Sequence, residues 1–101
     1  MKGTFVISED AEGNFAVFEV TRPEVMQVLF SAAFMEERAD ESVIFAYGTT
    51  HAGRYLMVML EESVTVDDEW NVLIARDMST REKERFLRWT TRWTARWTPR
   101  G

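Results

Sequence analysis

The spacing of apolar residues along this chain changes several times, and each change marks an element. Thr4-Phe5-Val6-Ile7-Ser8 is a short apolar run suited to a strand or an extended lead-in. Ser8 followed by Glu9, Asp10 and Glu12 predicts a helix start with acidic residues at the positive end of the helix dipole. That helix is expected to run through Asn14, Phe15 and Phe18, although Gly13 weakens it. Thr21 and Glu24 have the spacing of a capping box, with Pro23 placed in the first turn where its missing N–H costs nothing. Val25, Val28 and Leu29 then form the i, i+3, i+4 stripe of an amphipathic helix ending near Ser31, and Met26 and Phe30 widen it.

Beyond Ser31 the period shortens. Residues 33–38 are a weak strand, and Val43 to Gly48 is a stronger one, rich in β-branched and aromatic residues. Thr49-Thr50-His51-Ala52-Gly53 reads as a five-residue hairpin loop with glycine for the left-handed position. Arg54 to Leu60 is almost wholly apolar, which predicts a central strand buried on both faces. Glu61 to Glu69 is an acidic connection in which Val64 and Val66 could extend that strand. Trp70 to Ala75 is a further strand, and from Ser79 the apolar positions Phe86, Leu87 and Trp89 take helical spacing among charges. Ser79 and Glu82 repeat the capping-box spacing, and Asp77 adds negative charge ahead of the helix.

These elements predict an α+β fold: two N-terminal helices, a meander of about four antiparallel strands and a C-terminal helix. A chain of 101 residues suits one domain with a single core. The end of the chain is a tetrad repeat in which Arg88-Trp89-Thr90, Arg92-Trp93-Thr94 and Arg96-Trp97-Thr98 follow one another. A four-residue period drifts by only about 40° per repeat on a helix, so the tryptophans form one slowly winding stripe beside a row of arginines. Pro99 is expected to stop it.

Charge divides the chain in two. Residues 1–78 hold five Lys/Arg against fifteen Asp/Glu, whereas residues 79–101 hold seven against two. A basic tail on an acidic body suits a nucleic-acid or protein-binding arm, and equally a solvated helix. The absence of cysteine excludes disulfides and thiol chemistry, and a single histidine leaves no metal-ligand spacing. Asp67-Asp68-Glu69 lacks the glycine and alternation of a calcium loop, and no phosphate-binding glycine loop or nucleophile elbow is present. The opening residues turn acidic too soon for a signal peptide and no run reaches membrane-spanning length, so a cytoplasmic location without membrane contact is expected.

What remains for chemistry is a set of arginines near strand ends and helix starts, Arg54, Arg76, Arg81 and Arg85, with His51, Tyr47 and Tyr55. A guanidinium fork matches phosphate oxygens and stabilises the charge that develops when a ribose 2′-OH attacks the adjoining phosphate. Histidine or tyrosine moves the proton. Structural ion pairs use the same residues, so both uses stay open. The Trp/Arg stripe is likewise open between stacking bases and packing on the sheet or on a partner.

Thr49-x-x-x-Gly53-Arg54-Tyr55-Leu56, the apolar strand after it, and Ile74-Ala75-Arg76-Asp77-Met78-Ser79-x-x-Glu82 together resemble the BrnT-type toxins of bacterial type II toxin–antitoxin modules. Val20-Thr21-x-x-Glu24-Val25 agrees in order, and the resemblance spans about residues 5–88, leaving 89–101 as an Arg/Trp/Thr-rich extension. It implies a RelE-like fold, metal-independent cleavage of RNA without a cofactor, and hetero-oligomeric neutralisation by a DNA-binding, BrnA-like antitoxin. On that reading Arg54 and Arg76 bind phosphate or stabilise charge, and His51 or Tyr55 transfers the proton. Arg81, Arg85, Arg88, Trp89, Arg92 and Trp93 bind RNA or the antitoxin. Family members commonly carry a His-x-x-x-His pair at the end of the first helix, where this chain has Asn14 and Phe18. A catalytically inactive interaction module on the same fold, and an RNA-binding domain using the Trp/Arg stripe, are the alternatives.

Overall fold

The computed structural model describes residues 3–31 and 34–97, with side chains as far as Thr91. In chain order the elements are β1 (Thr4–Val6), α1 (Glu9–Ala16), α2 (Arg22–Leu29), β2 (Met35–Arg38), β3 (Val43–Thr49), β4 (Tyr55–Glu62), β5 (Glu69–Asp77) and α3 (Thr80–Trp97). The fold is α+β, as expected, but the sheet has five strands in the order β1-β5-β4-β3-β2. The expected antiparallel meander of four is β2 to β5. The fifth strand is β1, which joins the far edge parallel to β5 and makes the sheet mixed. Local periodicity could not reveal it, because its partner lies more than 60 residues away and it is only three residues long. Gly3 is required at its start: a Cβ there would stand 2.3 Å from the Asp68 carbonyl oxygen, and its φ is +125°.

The helix starts follow their capping signals. Ser8 caps α1 through a bond from the Ala11 N–H, and Thr21 and Glu24 form a reciprocal capping box on α2. Helix α1 ends sooner than expected, at Ala16. Phe18 lies in the following turn and is exposed, and Glu19 adopts a left-handed φ of 57°. Val64 and Val66 do not extend β4; both are exposed in the turn that leads to β5. The hairpin between β3 and β4 does use Gly53 in a left-handed conformation (φ +87°).

Two cores flank the sheet. On one face, Ala11, Phe15, Val25, Val28 and Leu29 of α1 and α2 pack on Ile44, Ala46, Leu56, Val58, Leu60, Val72 and Ala75. On the other, Met35, Tyr47 and Met57 pack under Phe86 of α3, with Tyr55, Met59, Met78 and Trp89 around them. Strand β4 contributes to both, so it is buried on both faces as its composition predicted. One irregularity keeps β5 in phase. Val72 and Ala75 both face the first core, yet residues three apart on a regular strand point to opposite sides. A bulge solves this: Met59 pairs with Ile74 and Leu60 with Val72, leaving Leu73 out of the register. The Leu73 carbonyl accepts a bond from the Asn14 side chain (3.1 Å). Among the described residues no helix is long and apolar enough to cross a membrane.

Candidate functional site

Arg76 and Asp77 are consecutive on β5, so alternation sends their side chains to opposite faces of the sheet. Each meets a partner that the sequence had assigned elsewhere. Asp77 does not serve mainly as a dipole charge ahead of α3. It accepts two bonds from Arg54, at 2.8 Å from Nε and 2.9 Å from Nη2. Arg54 also donates to the carbonyls of Phe18 (2.8 Å) and Glu19 (2.7 Å) and, at 3.4 Å, to Glu24. All five guanidinium N–H groups therefore have acceptors. The left-handed turn at Glu19 helps to present those two carbonyls. Arg54 thus ties β4 to β5, to the end of α1 and to the start of α2.

The electrostatics agree. Hydrogen bonds from Arg54 hold the Asp77 carboxyl below its ordinary range. For Glu24, burial pushes upward as the largest single influence, but hydrogen bonds from Thr21 and Arg54 together outweigh it and the group is lowered.

Arg76 lies on the α3 side. It donates to both oxygens of Glu82 (2.7 and 3.0 Å) and to the Asp77 carbonyl (2.9 Å). Glu82 therefore does more than cap α3, although it does cap it: it accepts from the Ser79 N–H at 2.8 Å, and the Ser79 hydroxyl accepts from the Glu82 N–H. The Arg76 bonds, ahead of all other influences, lower the Glu82 pKa to about 2. Tyr47 continues the cluster. Its hydroxyl donates to Glu37 (3.1 Å), while Arg85 donates to Glu37 at 2.9 Å and reaches the Tyr47 oxygen at 3.5 Å. Burial, then the Glu37 contact, pushes the Tyr47 phenol well above its ordinary value, so it remains a donor.

The Tyr47 oxygen also lies 3.5 Å from Glu82, so Arg76–Glu82 and Tyr47–Glu37–Arg85 adjoin as one polar network spanning β2, β3, β5 and α3. Arg76 has no described acceptor for Nε–H, whereas Arg85 Nε is buried without a hydrogen-bond partner and out of reach of a ligand. The Arg76 and Arg85 side chains are each about one-third exposed. Beside the network, Lys83 sits over the Tyr55 ring at 4.3 Å from its centroid, and Tyr55 packs edge-on against Phe86.

The four residues anticipated as catalytic are divided by the sheet. Arg76 and Tyr55 are on the α3 side. Arg54 turns to the side of α1 and α2, and His51 lines a cleft against α2. Arg81 and Arg88 are exposed on α3 and form no side-chain hydrogen bond among the described residues. Trp89 is half-buried and stacks on Phe86. The helix backbone continues through Arg92 and Trp93, whose side chains lie outside the described residues, as do Thr98 to Gly101 altogether. Sequence reasoning missed Glu37. The signal for it is the alternation of Met35-Glu36-Glu37-Arg38, which puts Glu37 on the same side as Met35 once β2 is recognised as a strand.

Among the described residues no three His, Cys, Asp or Glu side chains group as metal ligands. Compared with known proteins, the chain matches no family model and no curated sequence.

Proposed function

We propose that this chain is the toxin component of a two-protein module: a metal-independent endoribonuclease of RelE-like fold, neutralised in the cytoplasm by a small DNA-binding antitoxin. The observation that carries the reading is the partly exposed network on the α3 side, where the Arg76 and Arg85 guanidinium groups, each about one-third exposed, stand beside the Glu37 carboxylate. In the reaction the ribose 2′-oxygen bonds to phosphorus, its proton passes to Glu37, and the P–O5′ bond breaks as O5′ takes a proton from water, leaving a 2′,3′-cyclic phosphate and a 5′-hydroxyl. The two guanidinium groups stabilise the charge on the phosphoryl oxygens as it develops. Glu82, held ionised far below neutral pH, positions Arg76 rather than taking a proton. Tyr55 and Lys83 lie next to this centre, and Arg81, Arg88 and the exposed Leu87 offer α3 to RNA or to the antitoxin.

Expression of the soluble chain in bacteria without a partner should arrest growth, and Arg76→Ala should relieve the arrest. Soluble wild-type protein without arrest would contradict the reading.

A second reading has its own support. Arg54 spends every donor on the fold, and Asn14 and Phe18 stand where the resemblance implies two histidines. On this reading the chain is a non-catalytic interaction module that keeps the partner-binding helix. It predicts tight binding to a small protein encoded next to it and no RNA cleavage; cleavage that Arg76→Ala abolishes eliminates it.

A further inference from the structure

Helix α2 carries a second face that the core does not use. Pro23, Met26, Gln27 and Phe30 recur at i, i+3, i+4 and i+7. Together with Ser31 and with Thr49, Thr50 and His51 of the hairpin they line a cleft of about 620 Å³. That is within the range of small-ligand sites, roughly 300–1,000 Å³. One wall is apolar and aromatic, and Phe30 is 65% exposed there although its edge meets Phe5. The other wall is polar and fixed. The Thr50–Gly53 turn is closed by the Gly53 N–H on the Thr50 carbonyl and by Thr50 N–H on the Arg54 carbonyl. The Thr50 hydroxyl accepts from the Arg54 N–H as well.

This rigid turn aims the His51 backbone N–H at Gln27, whose side-chain oxygen accepts it at 2.9 Å. With that oxygen engaged, the amide orientation is set, and its NH₂ is the group left to donate to a ligand. A planar molecule with acceptors on its edge meets both walls: its face on Phe30, its edge on Gln27 and His51.

The cleft wall and the α3 side of the sheet meet at the hairpin end, next to the network. Thr49, in the cleft wall, pairs directly with Tyr55, which carries Lys83 over its ring. A nucleic-acid strand passing over the hairpin end can therefore hold a base on one side and a phosphate on the other.

We propose that this cleft is a nucleobase subsite, which takes a base flanking the phosphate cut at the Arg76–Arg85 network. It rests on the RNA reading above. Because His51 is the single histidine of the chain, its imidazole resonances report on the cleft without assignment ambiguity.

The test is a titration of the full chain with adenosine, guanosine, cytidine and uridine, and separately with inorganic phosphate, followed by NMR at His51. At least one nucleoside should give a saturable shift that phosphate does not reproduce. Phe30→Ala should weaken that binding about tenfold, the effect of losing one base–aromatic stack. Gln27→Glu, which keeps the acceptor for the His51 N–H but removes the NH₂ donors, should abolish the preference among bases. The proposal is overturned if no nucleoside moves the signal, if phosphate moves it equally, or if both variants bind as the wild type does. Cleavage measured on the same samples separates the two ideas: RNA cut without nucleoside binding removes the subsite alone, and binding without cleavage upholds the subsite while removing the nuclease.

Discussion

Arg54 and Arg76 occupy nearly equivalent places, each near the end of a central strand and each facing a carboxylate, yet the fold uses them differently. Arg54 has acceptors for five of five N–H groups, drawn from β5, the α1–α2 turn and α2. Arg76 has a bidentate partner in Glu82 and donors left over. A guanidinium that is fully committed holds elements together and has nothing to offer a substrate; one that is oriented but unsaturated can bind a phosphate with little reorganisation. Charge and position along the sequence do not tell the two apart. Counting acceptors does.

The largest stability loss is expected at the saturated arginine. Arg54→Ala removes the partner of Asp77 and Glu24 and leaves two carbonyls to find water, which should cost about 3 kcal/mol in urea unfolding. Arg54→Lys should recover only part of this, because an ammonium cannot reproduce the fork. Arg76→Ala breaks one partly exposed pair and should cost about 1–2 kcal/mol while removing activity. Equal stability losses at the two positions would erase the distinction between them.

Glu82 sharpens the comparison through pH. Its folded pKa, about 2, lies below its ordinary 4.5. The stabilisation is therefore complete above pH 4.5 and disappears as pH falls toward 2, amounting to about 3 kcal/mol. Glu82→Gln should flatten that acid limb, read as the urea midpoint from pH 6 down to pH 2. The smallest effect is expected at Arg81, exposed on α3. Arg81→Ala should change stability by less than about 0.5 kcal/mol yet lower RNA affinity and shallow its salt dependence by about one unit of slope.

Much of the fold was legible because it is encoded locally. Ser8, Thr21 with Glu24, and Ser79 with Glu82 announce three helix starts, and all three caps form. The apolar run of β4 reports burial on both faces, and Gly53 reports the turn. What was hidden depends on contacts between distant residues. Strand β1 is defined by β5, the bulge at Leu73 by the need to keep Val72 and Ala75 in one core, and the saturation of Arg54 by carbonyls that only a left-handed Glu19 presents. For the same reason the candidate site was half legible. Its arginines and tyrosines could be named from composition and spacing. Their division between two faces, and the inclusion of Glu37, required the register of the sheet.

The most direct measurement is cleavage of a short single-stranded RNA in the presence of a chelator, with wild type, Arg76→Ala and Arg54→Lys compared at a temperature where all three are folded. The account predicts 2′,3′-cyclic phosphate ends from wild type and from Arg54→Lys, and a loss of at least about 100-fold for Arg76→Ala. Absence of cleavage by folded wild type, or equal cleavage by Arg76→Ala, would contradict it.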